Sequence, residues 1–197
     1  MGKLFEIQPE WCRQPIKVSD VKNFNKLHER HKKLVMFDPT EAYKRIDEAD
    51  VIDPKRRYNS VYIGLIFPKR NDGLCTCGCG LKLEGRRTVW ATEDCSNFPQ
   101  LVWSVITGHS SIINICGRIF GTECVVCGRT EHETGETHEL DHKFPVKFGG
   151  AGGWLSNYEF KCKKCHREKT NKDFGFGKHK QQLVNQISSN PNGAYAS

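Results

Sequence analysis

The chain has 197 residues, a net charge of +7 and 37% hydrophobic residues, enough for one or two small domains and too few apolar residues for one large core. No apolar run approaches the length of a membrane span, and the first residues lack the apolar centre of a secretory leader, so the expectation is an intracellular, cytoplasmic protein. A basic balance at pI near 8.9 points to a polyanionic partner.

In chain order, residues 20–36 place Val21, Phe24, Leu27, Leu34 and Val35 against a basic face, which predicts an amphipathic helix capped by Ser19 or Asp20. A solvated charged face explains its lysines more simply than phosphate contacts do. A second short helix is predicted over 41–52, ending before Pro54. Residues 58–67, YNSVYIGLIF, carry the β-branched and aromatic content of a strand, closed by Pro68 and the turn signal Asn71-Asp72-Gly73.

The next segment, LCTCGCGLKLEGRRTVWATEDC, supplies Cys75, Cys77, Cys79 and Cys95, the ligand number of a second structural zinc. Gly78 and Gly80 permit the tight turns of a zinc knuckle. The segment looks like small treble-clef or ribbon modules written CxCGCG, departing from them at Ala91, where another cysteine is expected. Lys82, Arg86 and Arg87 form a compact basic patch for DNA phosphates or guanine edges, with solubilising charge as the plain alternative.

Residues 98–120 are predominantly apolar, with Pro99 at a helix N1 position after an Asn97 cap and Gly108 breaking the run into two pieces. This stretch is expected to form a shared core. Cys12 and Cys116 read as ordinary cysteines, and His109 as a turn residue.

From Cys124 to His166 two Cys-x-x-Cys pairs, Cys124/Cys127 and Cys162/Cys165, have the spacing of a closed four-cysteine zinc site of the structural type. Cysteines in such pairs read as metal ligands rather than disulfides. Between and beside the pairs lie Asp141, His142, Asn157 and His166. Asp141 and His166 suit a divalent cation that keeps open positions for water and a phosphate oxygen. Side chains alternate along a strand, so His142 projects away from Asp141 and is free to act as a general base. Glu139, one alternation step from Asp141, reads first as an ordinary strand residue and second as a helper at the metal. His132 and His138 read as exposed loop histidines.

The ordered set CVVC, DHKFP, FGGAGG, Asn157 and CKKCHREK resembles the HNH nuclease family, also called the ββα-metal fold, over roughly residues 118–173. The resemblance implies catalytic roles for His142 as base and Asn157 as the tether of the loop that carries it, with Asp141 and His166 on the catalytic cation. It implies one structural Zn2+ and, for catalysis, Mg2+ or another divalent cation; a second structural Zn2+ is expected from the four thiolates of the upstream knuckle, outside the resemblance. The fold class expected is α+β: a zinc-stapled ββα unit preceded by a mixed, mainly helical region with the second knuckle.

After Cys165 the α element should carry His166 near its start, with Arg167 and Lys169 beside it and Lys143 across the site as DNA contacts. Its N-terminus is expected to receive the scissile phosphate. Residues 172–180 read equally as a basic strap on nucleic acid or as a closing segment. The organisation expected is a DNA-contacting region over 1–97, a nuclease domain over 98–187 with its motif core at 118–173, and a frayed tail over 188–197.

The function expected is a metal-dependent DNA endonuclease of restriction, homing or phage type. The alternative is a catalytically silent zinc-dependent DNA-binding or adaptor module. No aromatic RNA-stacking motif favours RNA. Cutting both strands of a palindrome needs two active sites, most simply in a homodimer, though no heptad or other dimer signal is present.

Overall fold

The computed structural model describes residues 13–49, 60–108 and 110–174. Cys12, His109, the end of the second predicted helix near Pro54, the strap beyond Phe174 and the tail lie outside the described residues. The chain divides into two compact units, one ending at Ile115 and the other resuming at Cys116. No helix among the described residues is long and apolar enough to cross a membrane.

In the first unit the amphipathic stretch is only partly helical. Short 3-10 turns occupy Val18–Asp20 and Phe24–Lys26, and α1 spans Glu29–Met36, with the His28 ring accepting from the Arg30 amide. The apolar residues still face inward: Val21, Leu34 and Val35 are buried. α2 covers Thr40–Glu48, and its Thr40 amide donates to the Asp38 carboxylate at 2.9 Å.

The predicted strand at 58–67 is a helix, α3, over Ser60–Ile66. Tyr62 and Ile66, four residues apart, are both buried, as one helical face requires. Its last carbonyls are satisfied from a distance: the Arg45 guanidinium on α2 donates to Leu65 O at 2.6 Å and Ile66 O at 3.2 Å. That partner overrides the local preference of β-branched residues. A groove of about 730 Å³ opens beside these elements, lined in part by Phe37, Phe67, Phe98, Met36 and Arg30.

Helix α4 spans Glu93–Thr107 and begins earlier than Pro99 suggests. Thr92 is the cap, its hydroxyl accepting from the Cys95 amide at 3.1 Å, with Glu93 and Asp94 in the first turn. Pro99 sits buried inside the helix rather than at N1. Gly108 ends it in the left-handed conformation, and α5 follows over Ile112–Phe120, so the expected break is present. The unit division falls inside α5, which leaves α4 in the first unit rather than with the nuclease motif.

The second unit is built around two strands and a helix. After the short α6 (Glu131–Thr134), β1 (Glu139–His142) pairs antiparallel with β2 (Tyr158–Lys161), and α7 (Lys163–Phe174) packs on both. The register sets Glu139 opposite Lys161, Leu140 opposite Phe160, Asp141 opposite Glu159 and His142 opposite Tyr158. Phe160 and Tyr158 are buried, which gives Leu140 and His142 the apolar side of the ribbon. Glu139 and Asp141 take the other side. The helix buries Cys165, Lys169 and Asp173, one residue every turn.

Candidate functional site

Two clusters of four cysteines come together, each with its sulfurs within 4.8 Å of one another: Cys75, Cys77, Cys79 and Cys95, and Cys124, Cys127, Cys162 and Cys165. Both fit the tetrahedral thiolate set of a structural zinc, whose bonds are about 2.3 Å long. No described cysteine is in a disulfide.

In the upstream cluster the two glycines take positive φ values of 78° and 77°. The Gly78 amide closes onto Cys75 O at 3.1 Å, and the Cys75 amide onto Leu81 O at 2.8 Å. Ala91, where a cysteine was expected, supplies a backbone donor to the Cys75 sulfur at 3.2 Å; the fourth thiol comes from Cys95 in the first turn of α4. Lys33 donates to the Cys77 sulfur at 2.6 Å, placing a positive charge against a cluster whose thiolates would overbalance one Zn2+. Lys82, Arg86 and Arg87 are exposed on the following turn.

In the downstream cluster Gly128, at φ 71°, turns the first knuckle and its amide donates to Cys124 O at 2.8 Å. The knuckle is fixed to the ribbon by the Val125 amide on Phe160 O at 3.0 Å. Arg129 donates to the Cys127 sulfur at 3.4 Å, and these Arg129 contacts hold that thiol well below its usual range.

Beside this cluster lie the residues of the Asp-His motif. His142 stacks on Tyr158 with ring centroids 4.7 Å apart. Its Nε2 is buried and, among the described residues, without a partner, while the ring bonds to the Gly152 backbone, which leaves Nδ1 as the donor. Burial lowers the His142 pKa below its ordinary value, against the opposing pull of Asp141. The ring is therefore held neutral with a free lone pair on Nε2.

Asn157 is fully buried and ties the intervening loop shut. Its amide nitrogen donates to Phe144 O and Ala151 O, each at 3.0 Å, and its amide oxygen accepts from the Phe144 amide at 2.9 Å. Its backbone carbonyl takes the Lys143 amide at 2.8 Å. One side chain thus sets the path of the chain that leaves His142.

Asp141 Oδ1 lies 3.6 Å from His166 Nε2, less than twice the length of a metal–oxygen bond of about 2.1 Å, so one cation can touch both. The other oxygen of Asp141 lies 3.2 Å from both Lys161 Nζ and Lys169 Nζ. Burial alone would push the Asp141 carboxyl up, but the Lys169 and Lys161 charges outweigh it and hold the pKa below the usual value.

Several expected placements change. Lys169 is buried between Asp141 and Asp173, 2.6 Å from the latter, and does not offer its charge at the surface; Arg167 is exposed and Lys143 half-buried. The amide at the start of α7, Lys163 N, donates to the Glu136 carboxylate at 3.0 Å, so a protein acid already occupies the place expected for phosphate. His138 is buried, bonded to Thr122 O at 2.6 Å and Thr134 Oγ1 at 2.9 Å, whereas His132 is exposed as read. Glu139, treated first as a bystander, bonds His166 Nδ1. Its only signal in the sequence was the two-residue step to Asp141, and Lys161 gave none until the strand register was known.

No curated protein and no solved structure matches this chain. Residues 124–172 match the family model described as HNH endonuclease, an interval that opens on the first knuckle cysteine and closes within α7, and over that interval the chain carries an HNH endonuclease domain.

Proposed function

We propose that this protein is a divalent-cation-dependent DNA endonuclease in which His142 is the general base. The observation that carries the reading is the buried Nε2 of a neutral His142, unpartnered among the described residues and next in the chain to Asp141, whose Oδ1 lies 3.6 Å from His166 Nε2. A buried acceptor without a protein partner is completed by water or substrate. That lone pair takes a proton from a water, whose oxygen attacks the phosphorus as the bond to the 3′ oxygen breaks. Asp141 and His166 would hold the cation, which supplies Lewis-acid stabilisation of the charge on the phosphorane-like transition state and the departing 3′ oxygen. Asn157 fixes the loop so that the base stays aimed. Zinc in the two thiolate clusters serves structure, and Mg2+ is the first candidate for catalysis.

Lys82, Arg86, Arg87 and Arg167, with the half-buried Lys143, supply phosphate or base-edge contacts from the two units, and with them a preference for sequence or structure of restriction, homing or phage type. Cleavage of both strands at a palindrome calls for a symmetric pair of chains. Cysteines spaced in Cys-x-x-Cys pairs as metal ligands fit an intracellular setting.

One observation favours a second reading. Two buried lysines, each also paired with a second acid (Glu159 and Asp173), already lie 3.2 Å from Asp141, as suits a chain that binds DNA through its zinc modules without cutting it.

Incubation of supercoiled plasmid with Mg2+, Mn2+ or EDTA separates the two. Metal-dependent nicking or linearisation that disappears in His142→Ala supports the nuclease. A wild-type protein that shifts DNA on a gel and leaves it intact under every metal supports the silent module.

A further inference from the structure

The carboxylate of Glu139 has no role in the chemistry above, yet it is the hydrogen-bond partner of one of the two residues assigned to the cation. Glu139 and Asp141 stand two residues apart on β1 and so share a face, the one not taken by Leu140 and His142. His166, near the start of α7, reaches that face and meets both acids with different nitrogens. Its Nδ1 bonds Glu139 Oε2, and its Nε2 faces Asp141 Oδ1 at 3.6 Å.

An imidazole that donates Nδ1–H to a carboxylate keeps its lone pair on Nε2, has its ring orientation fixed and is a more basic ligand. The nitrogen so prepared is the one that looks at Asp141. Glu139 cannot contribute the same oxygen both to His166 and to a cation lying between His166 Nε2 and Asp141, because it approaches the ring from the opposite nitrogen.

We infer that Glu139 is a positioning residue: by holding His166 Nδ1–H it selects the tautomer and orientation in which Nε2 faces the cation site beside Asp141. The inference rests on the assignment of Asp141 and His166 as cation ligands. It distinguishes Glu139 from a third ligand, which would contact the metal itself.

The test is Mn2+ binding to the full chain with its thiolate sites loaded with zinc, followed by the loss of the free-ion paramagnetic signal, in wild type, Glu139→Ala, Glu139→Gln and Asp141→Ala. Alongside it, 15N chemical shifts of the His166 ring in the metal-free protein report the tautomer. Removing such an outer partner typically weakens metal binding about 10- to 100-fold. Glu139→Ala is expected to fall in that range and to lose the Nδ1–H tautomer. Glu139→Gln, whose amide oxygen still accepts from Nδ1–H, is expected to recover most of both.

Loss of Mn2+ binding in Glu139→Gln as complete as in Glu139→Ala makes Glu139 a ligand and overturns the inference. An unchanged His166 tautomer in Glu139→Ala overturns it as well. If Asp141→Ala binds Mn2+ as wild type does, the cation site itself is misplaced and the inference falls with it; that outcome is recognisable because it does not involve Glu139.

Discussion

Lys169 reaches inward from α7 to place its ammonium 3.2 Å from the carboxylate of Asp141. The same nitrogen lies 2.6 Å from Asp173, whose side chain is fully enclosed and whose Oδ1 has no partner among the described residues. Lysine is almost never buried unless paired, and here one cation joins the helix to the strand that carries the motif.

Removing that cation should cost more than the pair contributes. Lys169→Met leaves the Asp173 charge buried and uncompensated, a loss of about 3–5 kcal/mol for such a site. The double variant Lys169→Met, Asp173→Leu should recover much of it, because both buried charges are gone. Urea unfolding of the three proteins checks this, and a single variant no less stable than the double would rule out the buried pair.

Asn157→Ala strips partners from Phe144 N, Phe144 O and Ala151 O at once. A buried group left without its hydrogen bond costs about 1–3 kcal/mol, so the loop should open before the unit unfolds. The Phe144 amide is expected to exchange with solvent far faster than in wild type, with cleavage lost in parallel. Protection equal to wild type at Phe144 would contradict the tether.

Gly150 is required by space rather than by backbone angle. A Cβ there would lie 2.1 Å from Phe144 O and 2.9 Å from the carbonyl carbons of Phe144 and Pro145, all backbone atoms, whereas one at Gly152 meets only Val146 methyls at 3.6 and 3.8 Å. Gly150→Ala should therefore displace the 144–151 loop and abolish cleavage, and Gly152→Ala should leave cleavage near wild type. Equal activity in the two variants would show that the loop yields without consequence.

Signals confined to a few neighbouring residues were legible in the sequence. The cysteine pairs, the alternation that parts Asp141 from His142, and the Gly108 break all depend on spacing. What was missed depends on partners far along the chain: Arg45 capping α3, Glu136 on the first amide of α7, Lys161 brought to Asp141 by register. Lys169 was read as a DNA contact because a lysine beside a helical motif usually faces water. Its inward turn follows from the i, i+4 spacing to Cys165 and Asp173, a signal the sequence did hold, since Cys165 was already assigned to the zinc cluster.

The two cysteine clusters predict two zinc ions per chain. Cys75→Ser and Cys165→Ser should each lower the bound zinc to about one, and Cys116→Ser, a buried cysteine outside both clusters, should leave it unchanged. Chelation should unfold the second unit, since structural zinc contributes folding energy directly to such small elements. Zinc measured by colorimetric release from purified variants decides the count, and a wild-type value of one would remove the upstream site.

The pH dependence follows from His142. Burial lowers its pKa below the ordinary 6.5, so the unfolded chain takes up the proton first as pH falls. The contribution to stability is thus complete above about pH 6.5, is lost between that value and the lower folded pKa, and changes no further below it. For the reaction, the same shift keeps the imidazole neutral, and able to accept a proton, in mildly acid solution. The acidic limb of the cleavage profile should have its midpoint below 6.5, matching the His142 ring resonance in an NMR titration. A cation beside Asp141 would repel the imidazolium and move the midpoint the same way. A midpoint above 6.5 shared by both measurements would mean that the ring is not shielded from water, and the base would have to be sought elsewhere.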